Sequence, residues 1–524
     1  MRDLSRDSVH LFVKDDVQLF IDNTLLEMSQ DVTRRYYHPE PKVPDPVLKR
    51  DRPWEHLLYF TYSNHQVLRD PSDGLFKCWY EDLEGPDPSR SSHHFNMFSR
   101  QLYAQSENGV DWVKPELDVH PFEGAKTNIV MGDDEYGQVH SAAYVIDPDP
   151  DEPDERFRAI YAHYWDGQGG SGDQVECAHS PDGIRWSVYG QLPKIGRCGA
   201  RLSDVSTLAY DQDAREFVQI TRHFLQSSAP MNPSSPRARF NGSSFNRPHE
   251  PYNFASYSQR RLWLTTSADF IHWRDPIVVA ATDDDDDNLD ESYYGMPIYR
   301  RGTVYLGTAG VLHQVDNRMD VRLLMSRDLI RWRPVPSSSP FFAPGPEGTW
   351  YSGMVSMVSP PIEVGEELWF FHGGTRYHHD WFLRGPVEEL DHPEARDPQG
   401  SDFGMGLATL RIDGFASLSA NALREGTIAT RALSGAGSNL RINGRCRPGG
   451  SITVELVDSH ENIIPGCSKG DCDPLTGDST SHLVTWKGRD TISHQTFLGD
   501  LSVCKVRFFL RDADLFAFQF TSSE

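Results

Sequence analysis

The chain alternates short apolar runs with clusters of turn-forming residues along most of its length. Runs such as residues 261–266 (RLWLTT) and 506–510 (VRFFL) have the length of single strands, and Gly, Pro, Asn and Asp separate such runs. Aromatic residues make up 11% of the chain, with 41 Gly and 35 Pro, which suits many short strands joined by turns. The pattern predicts an all-β protein.

A seven-residue template recurs along the first two thirds of the chain. It reads Ser, any residue, Asp or Asn, two mostly small or apolar residues, any residue, Trp. Its copies end at Trp112, Trp186, Trp273 and Trp332, and a fifth, degenerate copy at Asp413-Gly414 has Phe415 in place of Trp. The Asp or Asn bonds its own turn and the Trp supplies a wedge, so each copy predicts a hairpin between two outer strands rather than a ligand site.

Five copies predict a five-bladed β-propeller, and a change of pattern near residue 425 predicts a C-terminal β-sandwich. The expected domains are an N-terminal β-hairpin over residues 1–25 that closes or flanks the ring, a propeller catalytic domain over 26–425, and the sandwich over 426–524. At 524 residues the chain is too long for one ordinary core, which agrees with a repetitive domain and a second one.

Charge and hydropathy exclude several classes of partner. The net charge of −25 repels nucleic acid and anionic membrane surfaces. No run approaches the roughly 18 apolar residues of a membrane span, and the N-terminus lacks the apolar core of a signal peptide. The sequence therefore predicts a cytoplasmic protein with no nucleic-acid partner and no membrane partner.

No cofactor is expected from the residues that bind metals most often. The seven cysteines include no CxxC pair, so free thiols are predicted, with a Cys467–Cys472 bridge as the alternative in an oxidising compartment. The acidic run 283–287 is interpreted as a solvated loop, with a Ca²⁺ site as the alternative. A metal site made by His372 and His378 stays open as a second alternative.

A five-bladed propeller with a trailing sandwich and S-x-D-G-x-x-W hairpins resembles glycoside hydrolase families 32 and 68, with family 43 as a relative. The family 32 signature W-M-N-D-P-N-G is absent, and Asp70-Pro71 falls in a hairpin turn. The R-D-P signature has no good match, and Glu176-Cys177 lies on a strand that leads to an outer turn. The resemblance is to a divergent family-32-like protein and implies carbohydrate chemistry without fructan specificity.

The Trp hairpins are also similar to the Asp-boxes of sialidases. Those enzymes need three arginines, a tyrosine nucleophile and an assisting glutamate. Arg201, Arg222 and Arg376 lie in segments where such arginines are plausible.

Candidate catalytic residues are the carboxylates at the starts of the innermost strands, which line the axial pocket of a propeller. Glycosidic cleavage uses one protonated acid and one ionised carboxylate. The candidates are Glu55 as base or nucleophile, Asp204 as base or nucleophile, and Glu291 as general acid, with Asp290 as its substitute. Each has a structural alternative, either a packed strand entry or a strand-start cap.

Candidate substrate-binding residues combine aromatic faces with hydrogen-bonding groups near the same strand starts. They are Trp54, His140, Asp290, Tyr293, Trp350, His372, Arg376 and His378. No residue is assigned to a metal.

The predicted function is a glycoside hydrolase that acts on terminal sugars, with furanosides among the candidates, by carboxylate acid/base catalysis in the axial pocket. The alternatives are a non-catalytic carbohydrate-binding propeller, a glycoside phosphorylase or transferase, and a sialidase-like enzyme. A propeller lyase or isomerase would need a His–Tyr or metal centre instead. The expected partner is a carbohydrate substrate.

Overall fold

The computed structural model describes residues 10–61, 64–84, 98–132, 138–163, 174–189, 194–195, 205–224, 260–282, 287, 291–313, 318–379, 403–492 and 503–522. These residues form 37 strands, one 3₁₀ turn at Pro153–Glu155 and no α-helix, so this part of the chain is all-β, as the sequence predicts. Within it there is no apolar helix of membrane-spanning length. Six of the seven cysteines are described, and all six are free.

The chain begins with a set of short N-terminal strands. Five groups of consecutive strands follow, and we call them units 1 to 5. The N-terminal strands are β1 (Leu11–Phe12), β2 (Gln18–Leu19), β3 (Leu26–Gln30), β4 (Thr33–Tyr36), β5 (Glu40–Pro41) and β6 (Leu48–Lys49). Unit 1 contains β7 (His65–Arg69), β8 (Phe76–Glu84), β9 (Phe98–Ser106), the side hairpin β10 (Leu117–Phe122) and β11 (Ala125–Thr127), and β12 (Ile129–Met131). Unit 2 contains β13 (His140–Ile146), β14 (Phe157–His163), β15 (Gln174–Ser180) and β16 (Ser187–Val188).

Three further units follow. Unit 3 contains β17 (Lys194–Ile195), β18 (Ser206–Asp211), β19 (Glu216–Phe224), β20 (Arg260–Ser267), β21 (His272–Trp273) and β22 (Ile277–Ala280). Unit 4 contains β23 (Glu291–Tyr293), β24 (Ile298–Arg301), β25 (Val304–His313), β26 (Arg318–Ser326) and β27 (Arg333–Pro334). Unit 5 contains β28 (Met354–Ser356), β29 (Ile362–Val364), β30 (Glu367–Thr375) and β31 (Gly404–Arg411), which pairs with β5 and β6.

The remaining strands form one large sheet from both ends of the chain. They are β32 (Ala416–Ala420), β33 (Gly426–Thr430), β34 (Leu433–Ser434), β35 (Asn439–Asp458), β36 (Asp478–Leu483) and β37 (Val503–Thr521). Strand β1 pairs with β34, β2 with β37, β3 with β33 and β4 with β32. The expected hairpin within residues 1–25 is therefore wrong for the described part, because β1 and β2 pair with C-terminal strands and not with each other.

The large sheet packs on units 4 and 5. The carboxylate of Asp22 binds two arginines of unit 4: Arg327, directly after β26, at 3.0 Å, and Arg333 of β27. Val17 and Leu19 share an apolar cluster with Leu306 of unit 4. The boundaries at residues 25 and 425 stay predictions, since β3, β4 and β32 also belong to the large sheet.

Units 1 to 4 each contribute one strand to a row of neighbouring strands. Strand β13 contacts both β7 and β18, and β18 contacts β24. Hydrogen bonds join four pairs of neighbouring units: Gln66 Nε2 to the Tyr144 carbonyl at 2.6 Å, Thr207 Oγ1 to the Met296 carbonyl at 2.7 Å, Thr308 Oγ1 to the Met357 carbonyl at 3.3 Å, and Val67 N to Ser359 Oγ at 2.8 Å. The last of these bonds returns from unit 5 to unit 1.

The four Trp-ended motifs lie on the predicted hairpins and share two kinds of hydrogen bond. In the second copy, Asp182 Oδ1 accepts the Ile184 amide at 2.8 Å, and the indole of Trp186 donates to the Gly183 carbonyl at 3.1 Å. The other three copies repeat both bonds. The residue that follows the Asp or Asn has a positive φ in each of these copies: Gly109 (72°), Gly183 (78°), Phe270 (68°) and Leu329 (63°). In the degenerate copy the positive φ of 60° is at Asp413 itself.

Each hairpin packs against the unit that precedes it. The Gly183 carbonyl accepts the Trp79 indole of unit 1 at 2.7 Å, and Trp112 contacts Phe371 of unit 5. The other three copies follow the same rule: Phe270 packs on unit 2, Leu329 and Trp332 on unit 3, and Asp413 on Arg301 of unit 4. No unit therefore completes its apolar packing alone.

Gly183→Ala tests this packing. A methyl group at Gly183 would lie 2.6 Å from Trp79 Cζ2 at a φ of 78°, whereas one at Gly74, with a φ of 76°, has open space. We expect Gly74→Ala to cost about 1 kcal/mol of unfolding free energy through backbone strain. Gly183→Ala should cost about 1–3 kcal/mol more through overpacking, measured by chemical denaturation. Equal losses for the two variants would contradict the wedge role.

Candidate functional site

Two of the predicted site residues, Asp204 and Asp290, lie outside the described residues. The others fall in separate places. Trp54 and Glu55 lie in a loop before unit 1, and the apolar strand expected directly after them is a segment with a single bridge from Leu58 to Asp82. The first strand of unit 1 begins only at His65.

Glu55 is the centre of a buried polar network. Its carboxylate accepts the Tyr80 hydroxyl at 2.8 Å and the amides of Asp51 and Arg52, and it pairs with Lys114 Nζ at 2.6 Å. The Lys114 side chain is 3% exposed. These donors hold the loop before unit 1 in place. Such a structural role is the alternative to catalysis that the sequence analysis gives for Glu55.

Asn128 extends this network to Trp54. Its amide donates to the Tyr80 hydroxyl at 2.7 Å, and its oxygen accepts the Trp54 indole at 2.7 Å. Trp54 is buried, so its ring packs against other residues of the protein.

His140 lies at the start of β13, as predicted, and contacts a carboxylate that the sequence analysis did not select. His140 Nδ1 is 2.5 Å from Glu81 Oε1, and Glu81 also accepts Asn64, Ser99 and the Ser141 amide. Burial raises the pKa of the Glu81 carboxyl, but His140 and the other donors outweigh it and hold the pKa below its ordinary value. Glu81 is therefore an ionised, fully buried acceptor.

The junction between units 3 and 4 brings charged groups together at the ends of two apolar rows. Val218 and Ile220 on β19, and Leu264 and Leu262 on β20, share one apolar cluster with Tyr293 and Leu324 of unit 4. Side chains two residues apart in a strand share a face. Arg222 and Arg260 therefore continue the rows of unit 3, while Glu291 and Arg322 continue the facing rows of unit 4.

Glu291 is 3% exposed and binds Arg322 Nη2 at 2.7 Å. Asp287 binds Nη1 of the same guanidinium. His313 Nδ1 lies 3.9 Å from Glu291 Oε1, and His313 Nε2 lies 2.9 Å from Asp320 Oδ2. Asp287 is thus an acidic neighbour of Glu291, but the Arg322 guanidinium lies between the two carboxylates.

The charges at this junction affect one another. Burial opposes the charged form of Arg322, but Glu291 outweighs it and raises the pKa of the guanidinium. Burial, together with the charge on Asp287, raises the pKa of Tyr293 to about 12. Tyr293 therefore remains a neutral hydroxyl near pH 7.

Tyr294, the next residue, contacts three charged or titratable side chains. The Arg222 and Arg260 guanidinium carbons lie 4.2 and 4.5 Å from the centre of its ring. Its hydroxyl is 2.7 Å from Nε2 of His379, which extends from unit 5. Three buried side chains from units 3 and 5 thus meet around one buried ring of unit 4.

The remaining predicted binding residues lie in or beside unit 5. Trp350 stacks on His372, with ring centres 5.5 Å apart. His372 is buried, whereas Arg376 is exposed and His378 half-buried, so these three do not share one surface. Among the described residues there is no group of three or more potential metal ligands.

Two buried histidines from different units lie close together. Burial, aided by the nearby His372, lowers the pKa of His65 to about 3, and burial lowers the pKa of His372 to about 4. Both rings are therefore neutral in the folded protein at ordinary pH.

The residues that sequence reasoning missed are Glu81, Asp287, Arg322, Arg260, Tyr294 and His379. A signal existed for Glu81, because Glu81 and Asp82 interrupt an otherwise apolar strand pattern in β8. For Arg260 and Arg322 there was none, because each lies on the fourth strand of its unit, far along the chain from the first strand.

No family model and no curated protein sequence matches the chain. Among solved structures it is similar to an N-acetylgalactosamine deacetylase from F. plautii in complex with blood group B trisaccharide, at 14% identity and a TM-score of 0.44, over 74% of this chain and 97% of the other. It is similar to a β-1,2-mannobiose phosphorylase from Listeria innocua, at 10% identity and a TM-score of 0.44, over 72% and 97%. A putative glycoside hydrolase from Bacteroides ovatus has 12% identity and a TM-score of 0.43, over 72% and 97%.

His372→Gln tests the buried neutral histidines. Below pH 6.5 the unfolded chain binds protons that the folded chain excludes, so stability falls with pH by up to about 1.4 kcal/mol per pH unit for each such histidine. For His372 this loss runs from about pH 6.5 down to the folded pKa of about 4. The variant should lose less stability than the wild type between pH 7 and pH 5, measured by urea unfolding.

The control for this prediction is His460→Gln, at an exposed position. It should keep the pH dependence of the wild type. An unchanged pH dependence in His372→Gln would contradict the assignment.

Proposed function

We propose that this chain is a glycoside hydrolase that cleaves terminal sugars by carboxylate catalysis at the junction of units 3 and 4. Its partner is then a carbohydrate substrate. A pocket at the inner end of the first strands favours chain ends over internal linkages.

The proposal includes an architecture in which units 1 to 5 are the blades of one five-bladed propeller and the large sheet is a C-terminal sandwich. The cyclic packing of the hairpins, each on the preceding unit, supports a closed ring. So do the hydrogen bonds that return from unit 5 to unit 1 at Ser359 and Val67. Closure removes exposed sheet edges, which is the usual advantage of a propeller.

One observation carries the catalytic proposal: two carboxylates bind the same guanidinium. Because Glu291 and Asp287 occupy different nitrogens of the planar Arg322 group, their nearest oxygens lie within about 8 Å of each other. The carboxyl groups of retaining glycosidases are about 5–5.5 Å apart and those of inverting ones about 6.5–9.5 Å. An upper bound of about 8 Å is compatible with either separation.

Glu291 remains the proposed acid because of its place at the start of β23 and its contact with Arg322. Asp204, which lies outside the described residues, stays the proposed base or nucleophile on its sequence position alone, with Asp287 as a second candidate for that role. Glu55, with its lysine and tyrosine partners, is better suited to holding the loop before unit 1. Substrate contacts are proposed for His140, the first residue of β13, and Tyr293, the last residue of β23.

A second candidate function, carbohydrate binding without catalysis, is favoured by Arg322 itself. A guanidinium that occupies both carboxylates can hold them as structural acceptors, in which case no proton is available for a leaving group. The two functions make opposite predictions for conservative amide variants.

Glu291→Gln tests the role of the acid. Size and one hydrogen bond to Arg322 are nearly retained, while the transferable proton is lost. Activity on natural glycosides should fall by about 10²–10⁴-fold, and activity on aryl glycosides with activated leaving groups should fall much less. A panel of aryl pyranosides and furanosides identifies the substrate, and kcat/KM is measured for both substrate types.

Two further variants complete this experiment. Asp287→Asn or Asp204→Asn should reduce cleavage of both substrate types alike if that residue is the base or nucleophile. The matched control is Glu347→Gln at an exposed position, which should leave both activities unchanged. Small, equal losses for Glu291→Gln on both substrate types would remove Glu291 from the mechanism, and sugar binding with no cleavage of any panel member would favour the binding function.

A further inference from the structure

A pocket lies between the large sheet and unit 4. Its volume of about 420 Å³ is in the range of small-molecule sites. Residues from the segment after β2, from β4, from the end of β33 and from β27 line it, and we call it the arginine pocket. The lining residues that matter here are Asp22, Arg34, Tyr36, Arg333, Pro334 and Arg431.

The lining of the arginine pocket reverses the charge balance of the chain. The whole chain has 76 acidic residues against 51 lysines and arginines. The pocket has three arginines, Arg34, Arg333 and Arg431, and Asp22 is the one acidic residue among its described lining residues. A concave surface with an excess of positive charge concentrates anions from solution.

Asp22 does not offset the three arginines fully, because part of its charge is taken by a residue outside the lining. Its carboxylate accepts the Thr24 amide at 2.9 Å, the Thr24 hydroxyl at 2.8 Å and Arg327 at 3.0 Å, and it also binds Arg333. Burial raises the pKa of the Asp22 carboxyl, but Arg327 and the Thr24 bonds outweigh it and hold the pKa below its ordinary value. Asp22 is therefore an ionised residue that positions arginines at the pocket.

The three guanidinium groups are each held by few partners. Two backbone carbonyls, of Phe20 and Asp22, accept Nε and Nη2 of Arg34 at 3.0 and 2.9 Å. Arg431 donates from Nε to a backbone carbonyl at 3.2 Å, and Arg333 donates from Nη2 to the Asp22 carboxylate. Among the described residues, no contact involves Nη1 of Arg34, Nη1 of Arg333 or either Nη atom of Arg431. Donors of all three arginines are therefore available to a ligand.

The chemistry of the lining suits an oxyanion with two negative charges. The planar forks of arginines match the oxygens of phosphate and sulfate groups. Three arginine charges against one aspartate leave an excess of two, which a dianion neutralises and a single carboxylate does not. The ring of Tyr36 and the neighbouring Pro334 add apolar surface on which the rest of a small molecule can lie.

A neighbouring pocket shares Arg431 but lacks this excess of free cations. Its volume is about 630 Å³, and its other fully charged lining residues are Glu27 and Lys505. The ammonium of Lys505 lies 2.6 Å from the Glu27 carboxylate and also binds Glu461. Because these carboxylates already pair with the lysine, the second pocket is the weaker candidate for an anion.

The arginine pocket is far from the proposed catalytic junction. At one end of β26, Arg318 lies opposite His313, and His313 lies opposite Glu291. Met325, which lines the arginine pocket, is near the other end of the same strand. The seven residues from 318 to 325 span about 23 Å of extended backbone. The two sites are therefore separate.

We propose that the arginine pocket binds a tetrahedral dianionic oxyanion, a phosphate or sulfate group, either as the free ion or as the end group of a small molecule. The site is additional to the proposed catalytic function and does not depend on it. A ligand in this pocket contacts the large sheet and unit 4 together, so its binding should also stabilise the packing between them.

Titration calorimetry on the full chain tests the proposal with inorganic sulfate, inorganic phosphate, acetate and chloride at matched ionic strength. Sulfate or phosphate should bind with a Kd below about 1 mM and at least about tenfold more tightly than acetate or chloride. D-glucose 6-phosphate, with D-glucose as its neutral partner, distinguishes the two sources of the anion. Tighter binding of the sugar phosphate than of phosphate supports an end group, and equal binding supports the free ion.

Arg333→Met and Arg431→Met should each weaken sulfate or phosphate binding by at least about tenfold, as expected for a lost charged hydrogen bond. Both side chains are exposed, so the fold should be retained, which circular dichroism checks. A lysine variant replaces either one that does not fold, and it should also weaken binding because the fork is lost. Arg424→Met, at an exposed position between β32 and β33, is the matched control.

Lys505→Met identifies the pocket that is occupied, because Lys505 lines only the neighbouring one. Anion binding should be unchanged in this variant and in Arg424→Met. Binding that is no tighter for sulfate and phosphate than for acetate would overturn the proposal, as would binding that survives both pocket variants. A loss in Lys505→Met as large as that in Arg431→Met would place the anion in the neighbouring pocket and overturn it too.

Discussion

The contact between each hairpin and the unit before it is the interaction on which the rest of the structure depends. The residue after the Asp or Asn of each Trp-ended hairpin adopts a left-handed conformation, and the Trp three residues later lies against a neighbouring sheet. Glycine occupies this position at Gly109 and Gly183, where Trp369 and Trp79 leave no room for a side chain. At Phe270 and Leu329 the backbone strain is instead offset by burial of the side chain in the neighbouring unit.

Since each unit needs its neighbour, strands β7, β13, β18 and β24 are held side by side. Charges that this packing buries need hydrogen-bonding partners. Glu55 and Glu81 illustrate one solution to that problem, in which a carboxylate is surrounded by donors from several segments. Asp70, paired with Lys77 and Arg156, follows the same rule at a turn of unit 1, and those partners outweigh burial and lower the pKa of its carboxyl. Such saturated carboxylates stabilise the fold but have little capacity left for a substrate.

The carboxylates at the junction of units 3 and 4 have a different environment from Glu55, Glu81 and Asp70. Glu291 and Asp287 share a single guanidinium, and the Arg322 side chain is 25% exposed. A carboxylate that is bound to a partially exposed guanidinium can exchange that partner for a ligand more readily than it could exchange a buried donor. The same junction carries the arginine pair around Tyr294, so acidic and basic groups face each other across neighbouring units.

The sequence by itself determined the all-β class and the positions of the hairpins, because strand length, turn chemistry and a recurring Ser-Asp-Trp template are local properties. It also indicated His140 and Glu291, since both open a first strand that follows recognisable turn residues. Pairing of the N-terminal strands was decided only by tertiary structure: β1 and β2 join strands more than 400 residues away, and nothing local to them encodes that choice. The partners of each carboxylate were decided in the same way. Lys114 for Glu55, Glu81 for His140 and Arg322 for Glu291 all come from other strands or units, because packing brings distant segments together and thereby selects which charges meet.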